Sequence, residues 1–462
     1  MEQTQAKGKL HYAWFIAIGC CFMMAGGLGA ILDAGIGAFV QPVISATDVN
    51  FFGDDPASRQ GELMVYMSMY FLATIIAMPL IGHILPRYNI RIVLTTAFVL
   101  TAGAFAINGL YTEVWQWYIS GFIFGLAGSF IFVMPVPILI GNWFFKRRAL
   151  VLGIVSCFSG IGGALLSILF TFFINEFGWR TAYFASALVI CIMVLPFTLF
   201  VFRFKPEDMG LNPYGWSEEE ARKQIEQKHS KAAAAGPNAG VVANRVAVFS
   251  LPFLCMFLLC GLVSFYGSLG TQMNPFGFSL GFYGDDVAAN RMFGATLVSA
   301  VMIGNIASKI VMGFVTDYIG VYKAIIIQLG LVIVGLVGFI FFNQEPWLLY
   351  LFGFFFGVQN SVYAVSTPLL IRSIFGNRDY AKIFSWCRIG TGAIGFVGPT
   401  MYGFLVGWQG GSYIACFVVS IVIGLVCILA VIVAESTKKK LRWVDDEKAK
   451  DLGIMQESLA PK

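Results

Sequence analysis

Long apolar runs recur along this chain, and they restrict its fold more than any other feature. Several exceed about 18 residues, which is long enough to cross a bilayer as a helix. Only 12% of the 462 residues are charged, whereas a soluble protein carries about 25%. Inside lipid, each backbone N–H and C=O must be satisfied within its own segment, which favours helices. The sequence therefore predicts an all-α membrane protein.

Twelve transmembrane segments can be counted, with a long hydrophilic stretch between the sixth and the seventh. They lie roughly at 12–40, 62–85, 90–110, 114–142, 147–174, 179–202, 248–274, 288–316, 322–343, 346–371, 379–406 and 410–434. The domains that we expect are a cytoplasmic N-terminus 1–11, a six-helix bundle 12–202, a cytoplasmic linker 203–247, a second six-helix bundle 248–434 and a cytoplasmic tail 435–462.

Basic residues indicate the orientation. They precede the first segment and follow the twelfth, and they fill alternate loops, as in KRR from Lys146. The other loops carry acidic residues instead. By the positive-inside rule both termini are cytoplasmic, in a multi-pass protein of the cell (cytoplasmic) membrane. The net charge of +5 lies in these loops, so it predicts membrane lipid and not nucleic acid as a partner.

The two halves repeat one another at an offset of about 231 residues. GHILPRY from Gly82 matches GFVTDYI from Gly313, and GFIFGLAGSFIFVMP from Gly121 matches GFFFGVQNSVYAVST from Gly353. FGWRTAYFASA matches VGWQGGSYIACF in the same order. Parallel repeats of this kind are typical of transporters that move two halves about a site near the membrane midplane.

Two motifs extend this pattern to a family. G-x-x-x-D at Gly313 and Asp317 resembles the loop motif of the major facilitator superfamily. WFFKRRALVLGIVSCFSGIGG from Trp143 and KPEDMGLNPYG resemble its monocarboxylate transporter and oxalate:formate antiporter branches. The resemblance implies two six-helix bundles, alternating access and a gating role for Asp317. The first-half copy keeps basic residues, among them Arg87, for which we also expect a coupling or gating role, but has Pro86 where the family has aspartate.

Three ionisable residues fall at membrane depth: Asp33, Lys309 and Arg388. A charge there costs several kcal/mol, so it usually faces a cavity or a partner. Lys309 lies about 12 Å from the edge at Asp317, and Arg388 about 14 Å into its own segment. Two cations at one level predict an anion site, with arginine supplying a fork and lysine a movable charge. The alternative is that both cations snorkel or pair with the backbone and with Asp33.

The branch resemblance adds roles at two positions. Asn305 and Lys309 lie one turn apart on one face of the helix. Monocarboxylate transporters have an acid and an arginine at these two positions. Members of the oxalate:formate branch also carry a cation that resembles Arg388. Asn305 cannot titrate, which favours exchange or facilitated movement unless Asp33 supplies a proton step. Asp33 is open to three interpretations: a gating ion pair, a proton site or an interface carboxylate.

Polar and aromatic residues on three further segments are candidates to complete the pocket. They share hydroxyl or amide groups that can donate to a carboxylate, although each is also suited to packing between helices: Gln359, Asn360 and Tyr363 on segment ten, Tyr66 and Tyr70 on segment two, and Tyr266 and Gln272 on segment seven.

These observations predict a secondary transporter for an organic anion, a monocarboxylate or small dicarboxylate, that works as a monomer with a proton or counter-anion as coupling partner. One alternative is a bulkier amphipathic acid, such as a steroid or aromatic acid, with proton coupling through Asp33. A membrane sensor would need a signalling domain. Neither an enzyme nor a cofactor or metal is expected, because no catalytic motif, P-loop or His/Asp/Glu cluster occurs.

Overall fold

The structure is a computed structural model. It describes residues 11–53, 58–85, 87–132, 135–216, 250–375, 380–438 and 441. Most of the predicted linker and tail therefore lie outside the described residues.

Helices account for nearly all of the described chain. The α-helices are α1 (Tyr12–Met23), α2 (Ile36–Ile44), α3 (Arg59–Ile84), α4 (Ile90–Ile107), α5 (Val114–Phe132), α6 (Pro135–Trp143), α7 (Arg148–Pro196), α8 (Leu251–Gly267), α9 (Met273–Ser279), α10 (Val287–Ile319), α11 (Val321–Phe341), α12 (Pro346–Gly357), α13 (Gln359–Ser361), α14 (Thr367–Phe375), α15 (Tyr380–Gly395), α16 (Val397–Trp408) and α17 (Ile414–Thr437).

Side-chain caps begin several of these helices. The side chains of His11, Asn89 and Ser250 each accept a hydrogen bond from a backbone N–H in the first turn of α1, α4 and α8, respectively. Such caps satisfy a donor that the helix itself leaves unpaired. Gly178, at φ +75° and ψ 159°, breaks the 49-residue helix α7 between predicted segments five and six. A residue with a Cβ atom rarely adopts that conformation.

Among the described residues, helix type changes within five of the predicted spans, and in three of them the change joins two α-helices. A π-helix, Met24–Gly35, joins α1 to α2, and a 3-10 turn, Ser268–Gln272, joins α8 to α9. A second π-helix, Val362–Ser366, joins α13 to α14. Irregular backbone at membrane depth is tolerated where it is buried in protein or lines a cavity. Side chains can leave regular helix packing at these three stretches.

The described chain divides into two compact units. Unit 1 comprises residues 1–54, 72–218 and 273–302, and unit 2 comprises residues 55–71, 219–272 and 303–462. In unit 1 the π-helix 24–35 packs along α7. Gly162 of α7 allows the closest approach, because a Cβ atom there would meet the backbone of Ala25. In unit 2 helix α8 packs between α15 and α17.

Residues 202–216, which follow segment six, fold back on unit 1, and we call this stretch the clasp. Tyr214 donates its backbone N–H to the Trp143 carbonyl at 2.8 Å, and its own carbonyl accepts from the N–H groups of Phe145 and Lys146 at 3.0 and 3.3 Å. The clasp therefore ties the turn between α6 and α7 by main-chain bonds. The two branch-like motifs of the sequence meet at this point.

Aromatic rings complete the clasp. The Tyr214 ring lies 5.6 Å from the rings of His11 and Trp14 and 5.7 Å from that of Phe144, measured between centroids. Burial lowers the pKa of the His11 imidazole from its ordinary value, against a smaller opposite effect of its hydrogen bond to the Asn212 backbone. The start of α1 is thus held to the clasp by a histidine that prefers to be neutral.

The prediction of an all-α, multi-pass membrane protein is confirmed. Within the described residues, ten helical stretches are long and apolar enough to cross a membrane, with segments five and six counted as one. The shorter apolar helix Tyr12–Gly27 belongs to the first predicted span. The cytoplasmic position of the termini and the predicted domain boundaries remain predictions.

Candidate functional site

The Arg388 side chain is the centre of the candidate site in unit 2. It lies on α15, is partly exposed, and its guanidinium carbon is 4.3 Å from the centroid of the Tyr363 ring. A second ring, that of Phe384, lies 5.6 Å away. Cation–π contacts at these distances stabilise a guanidinium by about 0.5–2 kcal/mol. Both rings therefore hold the cation without neutralising it.

No carboxylate accompanies this cation in the part of the chain that the structure describes. No Asp or Glu there lies within ion-pair distance of Arg388. The two rings leave the N–H donors of the guanidinium available, because aromatic faces accept few hydrogen bonds. A partly buried arginine in this state is suited to an external anion.

A break between two kinds of helix positions the Tyr363 ring beside Arg388. Tyr363 belongs to the π-helix 362–366, which directly follows the short helix α13. Ser361, at the end of α13, is fully buried, and its hydroxyl accepts a hydrogen bond from the Gln328 amide of α11 at 3.3 Å. The break is therefore fixed from behind by a buried polar contact, and the Tyr363 ring projects from an anchored turn.

Gln359 and Asn360 lie at the same break. Gln359 is only 4% exposed, and its amide faces Gly267 and Gly270, where a Cβ atom would lie 3.6 and 3.7 Å from it. The Gln359 amide thus sits where α8 gives way to its 3-10 turn, and its Oε1 atom has no hydrogen-bond partner among the described residues. Asn360 is partly exposed.

Lys309 and Asn305 lie on α10, one turn apart, as the sequence indicates. Asn305 is 1% exposed and Lys309 is partly exposed. The preceding Gly304 packs so closely on α12 that a Cβ atom would lie 2.0 Å from the Phe354 carbonyl oxygen. This close crossing fixes the position of the Asn305–Lys309 turn of α10 relative to α12 in unit 2.

The remaining predicted residues occupy different positions. Tyr66 and Tyr70 are buried on α3 in unit 2, 4% and 6% exposed, as expected of packing side chains. Arg87 is exposed in the turn after α3, with a guanidinium nitrogen 2.5 Å from His83 Nε2. The side chains of Asp33 and Asp317 lie outside the described residues, so their predicted coupling and gating roles remain predictions.

Sequence reasoning missed two contributors to the site. Phe384 precedes Arg388 by one helical turn, so the i, i+4 spacing of an aromatic and a cation was a usable signal. Gln328 gave none, because its link to Ser361 depends on how α11 packs. Outside the site, the buried Gln60 amide donates to Gln272 Oε1 at 2.6 Å in unit 2.

A set of apolar helices with a partly buried cation, beside which the described residues place no carboxylate, is suited to membrane transport. Comparison with protein families gives the assignment: the model of the Major Facilitator Superfamily matches residues 14–289 and 260–457. The chain belongs to the Major Facilitator Superfamily. It is therefore a transporter with a small-molecule substrate and not an enzyme.

Individual relatives are distant. An "MFS-type transporter" of Gibberella moniliformis (strain M3125 / FGSC 7600) is 22% identical over 338 residues, which cover 72% of this chain and 73% of that protein. "Monocarboxylate transporter 12" of Xenopus laevis is 23% identical over 201 residues, 41% of each chain. Among solved structures, an inward-facing, unoccupied bacterial homolog of the human lysosomal transporter Spinster aligns with a TM-score of 0.65 and 15% identity, over 94% of this chain and 99% of that one. At this identity the likeness shows the fold alone.

Proposed function

We propose that this protein is a secondary transporter that moves an organic anion, a monocarboxylate or small dicarboxylate, across the cytoplasmic membrane by alternating access. The observation that carries the proposal is the Arg388 guanidinium, which contacts two aromatic rings and has no described carboxylate beside it. A carboxylate can accept two parallel N–H bonds from such a fork. The Xenopus laevis relative is named as a monocarboxylate transporter, which supports the same class of substrate.

Lys309 supplies the second positive charge of the proposed site. It lies on α10 at nearly the same predicted depth as Arg388, one turn beyond the buried Asn305. The Tyr363 hydroxyl and the amides of Gln359 and Asn360 are the proposed hydrogen-bond donors that orient the anion. Asn305 does not titrate, so we expect exchange or facilitated movement unless Asp33 supplies a proton step.

Uptake into proteoliposomes tests the proposal. Arg388→Gln and Lys309→Gln should each lower carboxylate uptake by about tenfold or more, because a charge-assisted hydrogen bond contributes about 1.5–3 kcal/mol. Arg388→Lys should recover only part of the loss, since lysine keeps the charge but not the fork. Lys323→Gln removes an exposed charge at the start of α11 and is the matched control. Full uptake by Arg388→Gln would refute the proposed role of this arginine.

Two further arms of this assay separate the alternatives. Unlabelled carboxylate inside the vesicles should accelerate uptake if transport is exchange, whereas an imposed pH gradient should do so if a proton is coupled. Competition by short acids against steroid or aromatic acids tests the bulkier substrate, which the two rings beside Arg388 also suit. Stronger competition by the bulky acids would replace the small-anion proposal with that one.

A further inference from the structure

Two serine side chains make matching hydrogen bonds in the two units. In unit 2, Ser68 of α3 donates to the backbone carbonyl of Phe396 at 2.5 Å, and the Thr400 hydroxyl lies 2.7 Å from Ser68 Oγ. In unit 1, Ser299 of α10 donates to the backbone carbonyl of Ala164, in α7, at 2.8 Å. Each bond joins a helix from one half of the sequence to a helix from the other half.

The internal repeat relates these two bonds. Ser68 and Ser299 are 231 residues apart, which is the offset between Gly82 and Gly313 in the repeated loop motif. The accepting carbonyls, those of Phe396 and Ala164, are 232 residues apart. Donor and acceptor thus recur together, so the two bonds are equivalent positions of one repeated contact. A chance pair of surface serines would not keep both offsets.

Both crossings carry further contacts near the serines. At the unit 2 crossing, Ser68 is 2% exposed, and Gly61, two turns earlier on α3, packs against Gly403 so closely that a Cβ atom on Gly403 would lie 2.7 Å from the Gly61 Cα. At the unit 1 crossing, Ser167 of α7 donates to the Ala295 carbonyl of α10 at 3.2 Å. A carbonyl oxygen has a second lone pair, so these bonds need not break the helices that accept them.

We propose that Ser68 and Ser299 are a pair of latches, related by the internal repeat, that close one and the same state of the transport cycle. Alternating access requires helices from the two halves of the sequence to part and rejoin. Side-chain hydrogen bonds of this kind stabilise the joined state at each crossing modestly, and they can be broken in every cycle. Closing at one crossing therefore accompanies closing at the other.

Hydrogen–deuterium exchange of the full-length protein in nanodiscs tests this coupling without any substrate. Amides at a packed crossing are shielded and exchange when the helices part. Ser68→Ala should speed exchange about fivefold, the effect of one lost hydrogen bond, in residues 59–71 and also in residues 159–167 of the other crossing. Ser299→Ala should speed exchange in the same two windows, and the double variant should exceed either single one.

The matched control is Ser436→Ala, because the Ser436 hydroxyl bonds only to the Ile432 carbonyl of its own helix at 2.8 Å. It should leave both windows unchanged. Faster exchange confined to the mutated crossing, or no change at either, would overturn the proposal and leave two local packing contacts. If Ser68→Ala does not fold, Ser299→Ala decides alone through residues 59–71. Failure here leaves the anion proposal untouched, because no transport is measured.

Discussion

The crossing of α10 and α12 at Gly304 permits a quantitative test of helix packing beside the candidate site. A Cβ atom at Gly304 would lie 2.0 Å from the Phe354 carbonyl oxygen, 2.8 Å from its carbonyl carbon and 3.0 Å from its Cα. These are backbone atoms, so no side-chain rotation can relieve the contact. Ordinary contact begins at 3.4 Å, so Gly304→Ala requires α10 and α12 to separate by roughly 1 Å or more.

Gly330→Ala on α11 is the matched control, because a Cβ atom there meets nothing within 4 Å. Both substitutions gain the same helix-propensity term, about 0.5–1 kcal/mol for glycine to alanine. Their difference in the free energy of unfolding is therefore the overpacking cost at Gly304, about 1–3 kcal/mol. Thermal melts of the purified variants, followed by tryptophan fluorescence, give the comparison. Equal melting temperatures would refute the predicted clash. They would also refute the conclusion that this crossing fixes the position of Lys309 relative to α12.

Two further outcomes follow from buried polar groups. Gln60→Leu should lower the free energy of unfolding by about 1–3 kcal/mol, because the buried Gln272, 0% exposed, loses its hydrogen-bond donor. The double variant Gln60→Leu/Gln272→Leu should recover most of that loss. Additive losses of the two substitutions in thermal melts would contradict this expectation. Burial lowers the pKa of His11 from 6.5, so the folded state binds a proton at this site less readily than the unfolded state. The contribution of His11 to the free energy of unfolding should therefore fall as the pH drops below 6.5 and stay constant above it. His11→Asn keeps a cap without titrating, so the melting temperature of wild type relative to this variant should fall on acidification, and a constant difference would argue against the assigned burial.

Length and polarity in the sequence predicted the spans and singled out the candidate site residues. Apolar runs mark the helices, and the interruption at FGWR marks the break that the structure has at Gly178. Arg388 and Tyr363 were both identified as site residues, but their contact was not. Tyr363 lies in a π-helical stretch, which shifts the angular phase of every later side chain. Rotation about a helix axis of this kind cannot be deduced from i, i+4 spacing alone.

The glycines show the same limit. Small-residue spacing such as that of Gly395 and Gly398 is typical of close packing or bending, and the structure has both. Helix α15 ends at Gly395, and the two glycines pack against the Ser264 and Ser268 side chains of unit 2. Gly162, in the stretch that resembles the fifth-helix signature, allows an equally close approach. Gly153 in that stretch has open space around its Cβ position. The motif alone could not separate the two, because the neighbouring helix decides which glycine is needed.

The clasp has a practical consequence for chimeras between relatives. Residues 202–216 read as the start of a hydrophilic connector, yet their backbone belongs to the α6–α7 turn through Tyr214. A connector swap that begins at residue 203 would replace Tyr214 and leave the native α6–α7 turn paired with a segment from another protein. A graft that starts after Trp216 keeps the native pairing, so the natural exchange point lies about one dozen residues later than polarity suggests.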